Sequence, residues 1–231
     1  GKMADFNDIG IPRQLDWPRV RKLLTIGVFG ALLHLAGDLI LGWGVEDESL
    51  TGLFRMLSAY TATSDGGILA SALLGLFGMT LEGLSFFGVY RLMAERSPKD
   101  AHRYRSGILG YLIFGACGFH VPTCALVFLA RQGLPEETLV KFALYFLLPA
   151  TALFWVFFLL LAVTQIAAFA KGHTPYPRWC WVFSPLMGGL AAQALGFLGN
   201  LPALNAIACG WLAIGCLWLF GGLLCLCGKA R

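Results

Sequence analysis

The sequence predicts an all-α, polytopic membrane protein in which six transmembrane helices form one bundle. Composition is the first observation behind this prediction: of the 231 residues, 58% are hydrophobic and 13% are charged, and the mean hydropathy is +0.72. A soluble domain is about 25% charged and less than about 50% apolar. Because one globular core cannot hide so many apolar side chains, most of this chain must have lipid as its solvent.

The second observation is a set of six apolar segments, each long enough to cross a bilayer. The hydrocarbon core requires about 20 apolar residues per helix. Helices are predicted rather than strands because a helix satisfies its backbone hydrogen bonds within one segment. The predicted spans are 23–43, 67–90, 107–130, 142–170, 180–199 and 207–227.

The third observation is the uneven distribution of lysine and arginine between the loops. Of the 17 such residues, only Arg55, Arg131 and Lys141 fall on one side of the predicted spans, which leaves fourteen on the other side. Because positively charged loops stay in the cytoplasm, both termini are predicted to be cytoplasmic. The net charge of +4 therefore reflects topology, and no basic run indicates a nucleic-acid partner.

The predicted organisation has three parts. Residues 1–22 form a cytoplasmic N-terminal segment, 23–228 form the bundle, and 229–231 form a cytoplasmic tail. The first two residues precede the first methionine and resemble a tag remnant. The longest connection, 44–66, carries leucine and phenylalanine on one helical face, which predicts a short helix on the outer membrane surface. Such a helix is either a surface anchor or a lid over a cavity that opens outward.

Four ionisable residues lie inside the predicted spans. His34 and Asp38 share a face of the first span with small residues, and Glu82 and His120 lie on similar faces of the second and third spans. Because small residues mark the faces where membrane helices meet, all four side chains are predicted to line one interior cavity beneath the 44–66 loop. A charge near the bilayer centre costs at least about 2.5 kcal/mol, which favours a functional cluster over a purely structural polar network.

These four residues are the predicted catalytic residues. Asp38 is expected to orient a histidine, Glu82 to act as a proton donor or substrate anchor, and His34 and His120 to act as bases or metal ligands. The predicted substrate-binding residues are polar neighbours in the same spans or at their ends, although helix–helix hydrogen bonds would also explain them: Ser71, Thr123, Gln193 and Asn200.

The fourth and sixth spans have a different character. Neither carries an ionisable residue in its apolar run. Both are therefore predicted to form outer scaffolding, with Phe154 and Leu217 facing lipid.

Several functions are compatible with this pattern. An acid/base or metal-assisted enzyme acting on a lipid-like substrate is favoured. The first alternative is a proton-coupled small-molecule transporter or ligand-binding membrane protein, because such transport uses Asp, His and Glu across the midplane; against it, no internal repeat is visible. Further alternatives are a b-type haem protein with His34 and His120 as axial ligands, and a structural assembly partner.

The pattern leaves the cofactor open: a metal, if one is bound, would be zinc or another divalent ion held by His34, His120 and Asp38, with an open position that activates water; haem is less favoured. The expected partners are the lipid bilayer and a lipid-like or small-molecule ligand. An oligomer is possible through the small-residue row Gly188, Ala192 and Gly196.

Three motifs carry a resemblance to a known family. HLAGDLILGW in the first span, PRWCWVFSPL entering the fifth and NLPALNAIACGWL before the sixth resemble an uncharacterised, domain-of-unknown-function family of bacterial six-span inner membrane proteins. The resemblance covers nearly the whole chain. It implies a multi-pass protein of the bacterial inner membrane and no particular activity.

A second comparison is the superfamily of intramembrane lipid hydrolases that includes the alkaline ceramidases and adiponectin receptors. Its members have seven spans and hold zinc through three histidines. This chain has six predicted spans with only His34 and His120 inside them. A third histidine ligand is missing, so only Asp38 or Glu82 would complete a zinc site.

Overall fold

The computed structural model describes residues 15–230, and within that range the protein is helical with no strand. The predicted tag remnant and most of the predicted N-terminal segment 1–22 lie outside the described residues. The ten α-helices in this range are α1 (Trp17–Gly42), α2 (Gly52–Thr61), α3 (Asp65–Ala94), α4 (Pro98–Phe114), α5 (Val121–Arg131), α6 (Glu136–Phe142), α7 (Leu148–Ala170), α8 (Pro185–Gly196), α9 (Pro202–Cys209) and α10 (Trp211–Cys225).

Two π-helical segments join consecutive α-helices into long rods. The segment Ala116–His120 connects α4 to α5, and Ala143–Leu147 connects α6 to α7. Each π segment ends two residues before a proline, Pro122 or Pro149. Proline lacks the backbone donor and clashes with the carbonyl one turn earlier, so a wider turn accommodates it. The results are two apolar rods of 34 and 35 residues.

Four helical units are long and apolar enough to cross a membrane: α1, α3, α4 with α5, and α6 with α7. They confirm the first four predicted apolar helices. The predicted fifth span, 180–199, contains α8, which has only 12 residues. The predicted sixth span corresponds to α9 and α10, which bend by 66° at Gly210 and provide a fifth crossing if they count as one broken span.

Polar contacts identify the two ends of the bundle. At one end, here called the α2 end, Arg131 pairs with Asp65 at 2.7 Å. At the opposite end, here called the termini end, the Arg96 guanidinium donates to the carbonyl of Thr174 at 2.7 Å. The Tyr176 hydroxyl donates there to the carbonyl of Leu223. The long helical units therefore run in alternating directions between these two ends.

The fourth and sixth predicted spans, which were expected to form outer scaffolding, contribute to the core. Phe154 of α7 is fully buried and stacks between Phe119 and Phe158, with ring centroids 5.2 and 5.7 Å apart. Helix α10 packs against α1, where Phe220 occupies the space beside Gly27. The prediction that Phe154 faces lipid is wrong, because the rings of Tyr111 and Phe119, from α4 and the first π segment, pack against Phe154 and cover this face of α7. The sixth apolar segment is likewise central and not peripheral.

Candidate functional site

Close packing of α1 on α3 places the first ionisable pair inside the bundle. A Cβ atom at Gly78 of α3 would lie 2.6 Å from the backbone nitrogen of His34, so only glycine permits this approach. His34 and Asp38 are one turn apart on the same face of α1. Their side chains meet at 3.2 Å, between Nε2 of His34 and Oδ2 of Asp38.

Glu82 holds the other side of the His34 ring. Its two carboxylate oxygens lie 2.9 and 3.2 Å from Nδ1 of His34. The Tyr111 hydroxyl donates to Oε2 of Glu82 at 2.6 Å. Because Glu82 has no exposed surface, it acts from behind His34 and does not reach the cavity described below.

His120 approaches the same carboxylate from the π segment between α4 and α5. Its Nε2 atom lies 2.8 Å from the backbone carbonyl of Ser71, and its Nδ1 atom lies 3.6 Å from Oδ1 of Asp38. The ring stands edge to face with that of His34, at 5.5 Å between centroids. It rests on Gly75, where any Cβ atom would overlap the imidazole.

The hydrogen bonds assign the proton of His120 directly. A backbone carbonyl only accepts, so Nε2 of His120 must be the donor to Ser71, which leaves its Nδ1 facing Asp38. With Glu82 ionised, Nδ1 of His34 is the donor to Glu82, which leaves Nε2 of His34 facing the same Asp38. In that tautomer two imidazole nitrogens face one carboxylate, an arrangement that a proton or a metal ion between them stabilises.

The distances fit a metal ion. Ligand atoms of His34, Asp38 and His120 all lie within 4.8 Å of one another. A tetrahedral zinc ion with bonds of about 2.1 Å separates its ligand atoms by about 3.4 Å; here Nε2 of His34 lies 3.2 Å from Oδ2 of Asp38, and Nδ1 of His120 lies 3.6 Å from Oδ1 of the same carboxylate. The longer distance also exceeds that of a direct hydrogen bond. Glu82 and Ser71 supply the acceptors that metal-binding histidines require on their second nitrogen.

A cavity of about 180 Å³ adjoins these three side chains, and His34, Asp38 and His120 line it together. The other lining residues come from α1, α2, α5, α8, α9, α10 and the first π segment: Leu41, Tyr60, Phe119, Thr123, Gln193, Ala208, Cys209, Trp211 and Leu212. The three ionisable residues are each at most 6% exposed. The site is therefore nearly closed, with its partly exposed rim on the α8, α9 and α5 side.

The predicted substrate-binding residues separate into two groups. Thr123 and Gln193 line the cavity, and Ser71 contacts His120 through its backbone carbonyl. Asn200 lies at the α2 end instead, where its side chain accepts from the backbone nitrogen of Glu46 and donates to the carbonyl of that residue. The structure does not bring Asn200 to the cavity.

Helix α2 covers the cavity from the α2 end. Its Leu57 is buried in a cluster with Val127 and Leu139, so its apolar face packs on the bundle. Tyr60 reaches the cavity from this helix. Burial raises the pKa of Tyr60 above its usual range, so the phenol remains neutral.

Tyr111 was not predicted from the sequence, although it completes the polar chain through Glu82. It lies nine residues before His120, which is about two and a half turns of a regular helix. The two side chains would then lie on opposite faces. The wider turn of the π segment Ala116–His120 changes the angle between the two side chains around the helix axis. Pro122, which follows this segment, was the only feature of the sequence that indicated such a change.

Fold and site together define, for residues 15–230, an all-α protein with four or five helical units long and apolar enough to cross a membrane and a buried histidine–carboxylate cluster beside a small cavity. The chain belongs to a family of unknown function (DUF6796), which matches residues 6–230. This confirms the resemblance to an uncharacterised, domain-of-unknown-function family. No curated protein and no solved structure matches the chain.

Proposed function

We propose that this protein is a metal-dependent hydrolase of the bacterial inner membrane, which cleaves an acyl ester or amide of a lipid-like substrate. The proposal rests mainly on one observation. Nε2 of His34 and Nδ1 of His120 both face the carboxylate of Asp38, while the other nitrogen of each ring is hydrogen-bonded elsewhere. Zinc or another divalent ion fits this donor set.

The proposed topology has six crossings with both termini in the cytoplasm. Four long apolar helices and the bent α9–α10 pair supply five crossings, and α8 with the residues that flank it supplies another. The termini end carries Arg96 and Lys171, whereas the α2 end carries Glu46, Asp65 and Glu136. The distribution of positive charge supports a cytoplasmic termini end.

Within this mechanism, His34, Asp38 and His120 hold the ion, and Glu82 and Tyr111 fix the orientation of His34. A divalent ion held by these three residues beside the cavity would supply activation of a water molecule and polarisation of a carbonyl. The water oxygen adds to the acyl carbon, and the bond to the leaving group breaks. Of the two Asp38 oxygens, which face His34 and His120, one would hold the ion, and the other would accept the proton lost by the water and return it to the leaving group.

The dimensions and lining of the cavity suggest the class of substrate. Sites that enclose a whole small molecule measure about 300–1,000 Å³, so about 180 Å³ accommodates only a reactive group. Phe119, Trp211 and Leu212 make much of the wall apolar, and no Lys or Arg of the described residues lines it. An uncharged ester or amide fits this lining, with its hydrocarbon chain remaining between the helices or in lipid. The cavity is too small for a porphyrin, so haem is not proposed.

The first test is the metal content of the purified full chain in a neutral detergent, after incubation with zinc and removal of unbound metal. About one zinc ion per chain is expected, with loss in His120→Ala and in Asp38→Asn. His173→Ala is the matched control, because His173 also pairs with a carboxylate, Asp100 at 2.7 Å, but lies at the termini end. No bound zinc, iron or manganese in the wild type would exclude the metal centre.

The second test measures hydrolysis of a fluorescent acyl-ester lipid and of a fluorescent acyl-amide lipid in mixed micelles. Zinc-dependent release of the fatty acid from either lipid is expected, and Asp38→Asn should abolish it. A chain that binds zinc but hydrolyses neither lipid contradicts the hydrolase proposal.

A second candidate function is proton-coupled transport. The observation that favours it is the continuous chain of polar contacts from Tyr111 through Glu82, His34 and Asp38 to His120. In this case the cation between the imidazoles is a proton. Purified protein in liposomes would then carry protons across the membrane in the absence of metal, and Glu82→Gln would stop that flux.

A further inference from the structure

A second cavity, of about 440 Å³, lies at the termini end between α1, α3 and α4. Three arginines line it, one from each helix: Arg19, Arg91 and Arg105. None of its lining residues belongs to the metal-centre cavity. An inference about this cavity is therefore independent of the proposed metal chemistry.

Among residues 15–230, no carboxylate forms a salt bridge with Arg19, Arg91 or Arg105. Three guanidinium groups around one recess repel one another, and a bound anion offsets that repulsion. Guanidinium groups present paired donors that match the oxygen atoms of phosphate.

Besides the arginines and Tyr90, the lining is apolar and lies deeper in the bundle. Leu23 follows Arg19 by one turn of α1, and Phe87 and Leu84 precede Arg91 by one and two turns of α3. Leu84 is 46% exposed and Phe87 is half-buried, so an apolar strip is accessible from the membrane side. The cavity thus joins cationic donors near the bundle end to an apolar surface that leads toward its middle.

We propose that this cavity, with Arg19, Arg91 and Arg105 around its mouth, binds the headgroup of an anionic phospholipid. The arginines bind the phosphate, and the first carbons of one acyl chain lie along Leu23, Phe87 and Leu84. Basic pockets between membrane helices at the cytoplasmic surface bind anionic headgroups in this way. In the proposed topology the termini end faces the cytoplasm. The cavity therefore lies in the cytoplasmic leaflet, where anionic phospholipids contact the positive end of the bundle.

Native mass spectrometry of the full chain, titrated with phosphatidylglycerol or phosphatidylcholine, tests this proposal. Phosphatidylglycerol is expected to bind as one saturable lipid per chain, and phosphatidylcholine to bind more weakly. The variants Arg19→Gln, Arg91→Gln and Arg105→Gln should each weaken phosphatidylglycerol binding about fivefold, the effect of one cation near an anionic lipid. Inorganic phosphate should not displace the lipid, because it lacks the chain that contacts the apolar strip.

Two variants serve as controls for diffuse surface charge. Arg21→Gln and Lys99→Gln remove the same charge from exposed positions of α1 and α4 that do not line the cavity. Both should change phosphatidylglycerol binding less than twofold. If all five variants weaken phosphatidylglycerol binding equally, the lipid responds to the general positive charge of the surface and not to this cavity. Displacement by inorganic phosphate at equal concentration would make the cavity a simple anion site and overturn the lipid proposal.

Discussion

Nδ1 of His120 lies 3.6 Å from Oδ1 of Asp38, a distance that is too long for a hydrogen bond and suitable for two ligands of one metal ion. Asp38 lies on α1 and His120 lies in the π segment between α4 and α5, and each side chain has a further polar contact. Asp38 is held by His34, and His120 is held by the carbonyl of Ser71. The separation between Nδ1 of His120 and Oδ1 of Asp38 is therefore set by the fold. Its consequences can be measured.

The first prediction concerns Glu82, a positioning residue that holds Nδ1 of His34 without reaching the cavity. Replacing the partner of a metal-bound histidine costs about 10- to 100-fold in metal affinity. Glu82→Gln keeps the size of the side chain but removes the charge, so zinc affinity should fall by about that factor while helical circular dichroism is unchanged. Competition with a fluorescent chelator measures the affinity.

Tyr111→Phe is the matched control for Glu82→Gln. It removes only the hydroxyl that donates to Glu82, so its effect on zinc affinity should be less than about tenfold, as for one hydrogen bond. An unchanged zinc affinity in Glu82→Gln would mean that Glu82 serves packing alone.

The residue types of the site could be predicted from the sequence more completely than their arrangement. Small residues beside His34, Asp38 and Glu82 predicted that these side chains point into the bundle, because helix faces follow from a regular repeat; the further prediction that Glu82 lines the same cavity as His34, Asp38 and His120 is wrong. The sequence did not disclose which of them reaches the cavity, since Glu82 is screened by the ring of His34. It also missed Tyr111, because a π segment breaks the repeat on which face assignments depend.

The apolar segments illustrate the same limit. Hydropathy located the helices of the first four predicted spans, because length and composition decide whether a helix is compatible with a bilayer. It did not predict that Phe154 would be buried, because lipid and protein interior are equally apolar and attract the same side chains. The bend at Gly210 likewise depends on packing between α9, α10 and α1.

The second prediction uses the glycine beneath His120. Any side chain at Gly75 would overlap the imidazole, so Gly75→Ala should displace His120, lower zinc affinity and destabilise the protein by about 1–3 kcal/mol. Gly66→Ala is the control, since a Cβ atom there would contact nothing within 4 Å. Thermal unfolding in detergent and zinc titration are the measurements. Equal behaviour of both variants would contradict the placement of His120.

The third prediction concerns topology. Single cysteines at Glu48 and Lys99, in a background without reactive native cysteines, should respond differently to a thiol reagent that cannot cross the membrane. Glu48→Cys lies at the α2 end and should react in intact cells, whereas Lys99→Cys lies at the termini end and should react only after the membrane is opened. The opposite pattern of labelling would reverse the proposed orientation.

The last prediction concerns access to the cavity. The segment before α2 is held by Asn200, which bonds both backbone groups of Glu46, and by Asn205, which donates to the carbonyl of Gly44. Asn200→Ala removes the first of these contacts and should loosen the α2 cover. Cys209, which lines the cavity with Tyr60, should then react faster with a small thiol reagent.

The rate of Cys209 modification is measured after the exposed Cys117 and Cys225 are replaced by serine. An increase of about fivefold to tenfold is expected, which corresponds to about 1–1.5 kcal/mol for the lost hydrogen bonds. Glu48→Ala in the same background is the control, because Glu48 is exposed in the same loop and forms no hydrogen bond or salt bridge with the described residues. If Asn200→Ala and Glu48→Ala leave the rate equally unchanged, α2 does not control entry, and the partly exposed rim beside α8 and α9 is the path to Asp38.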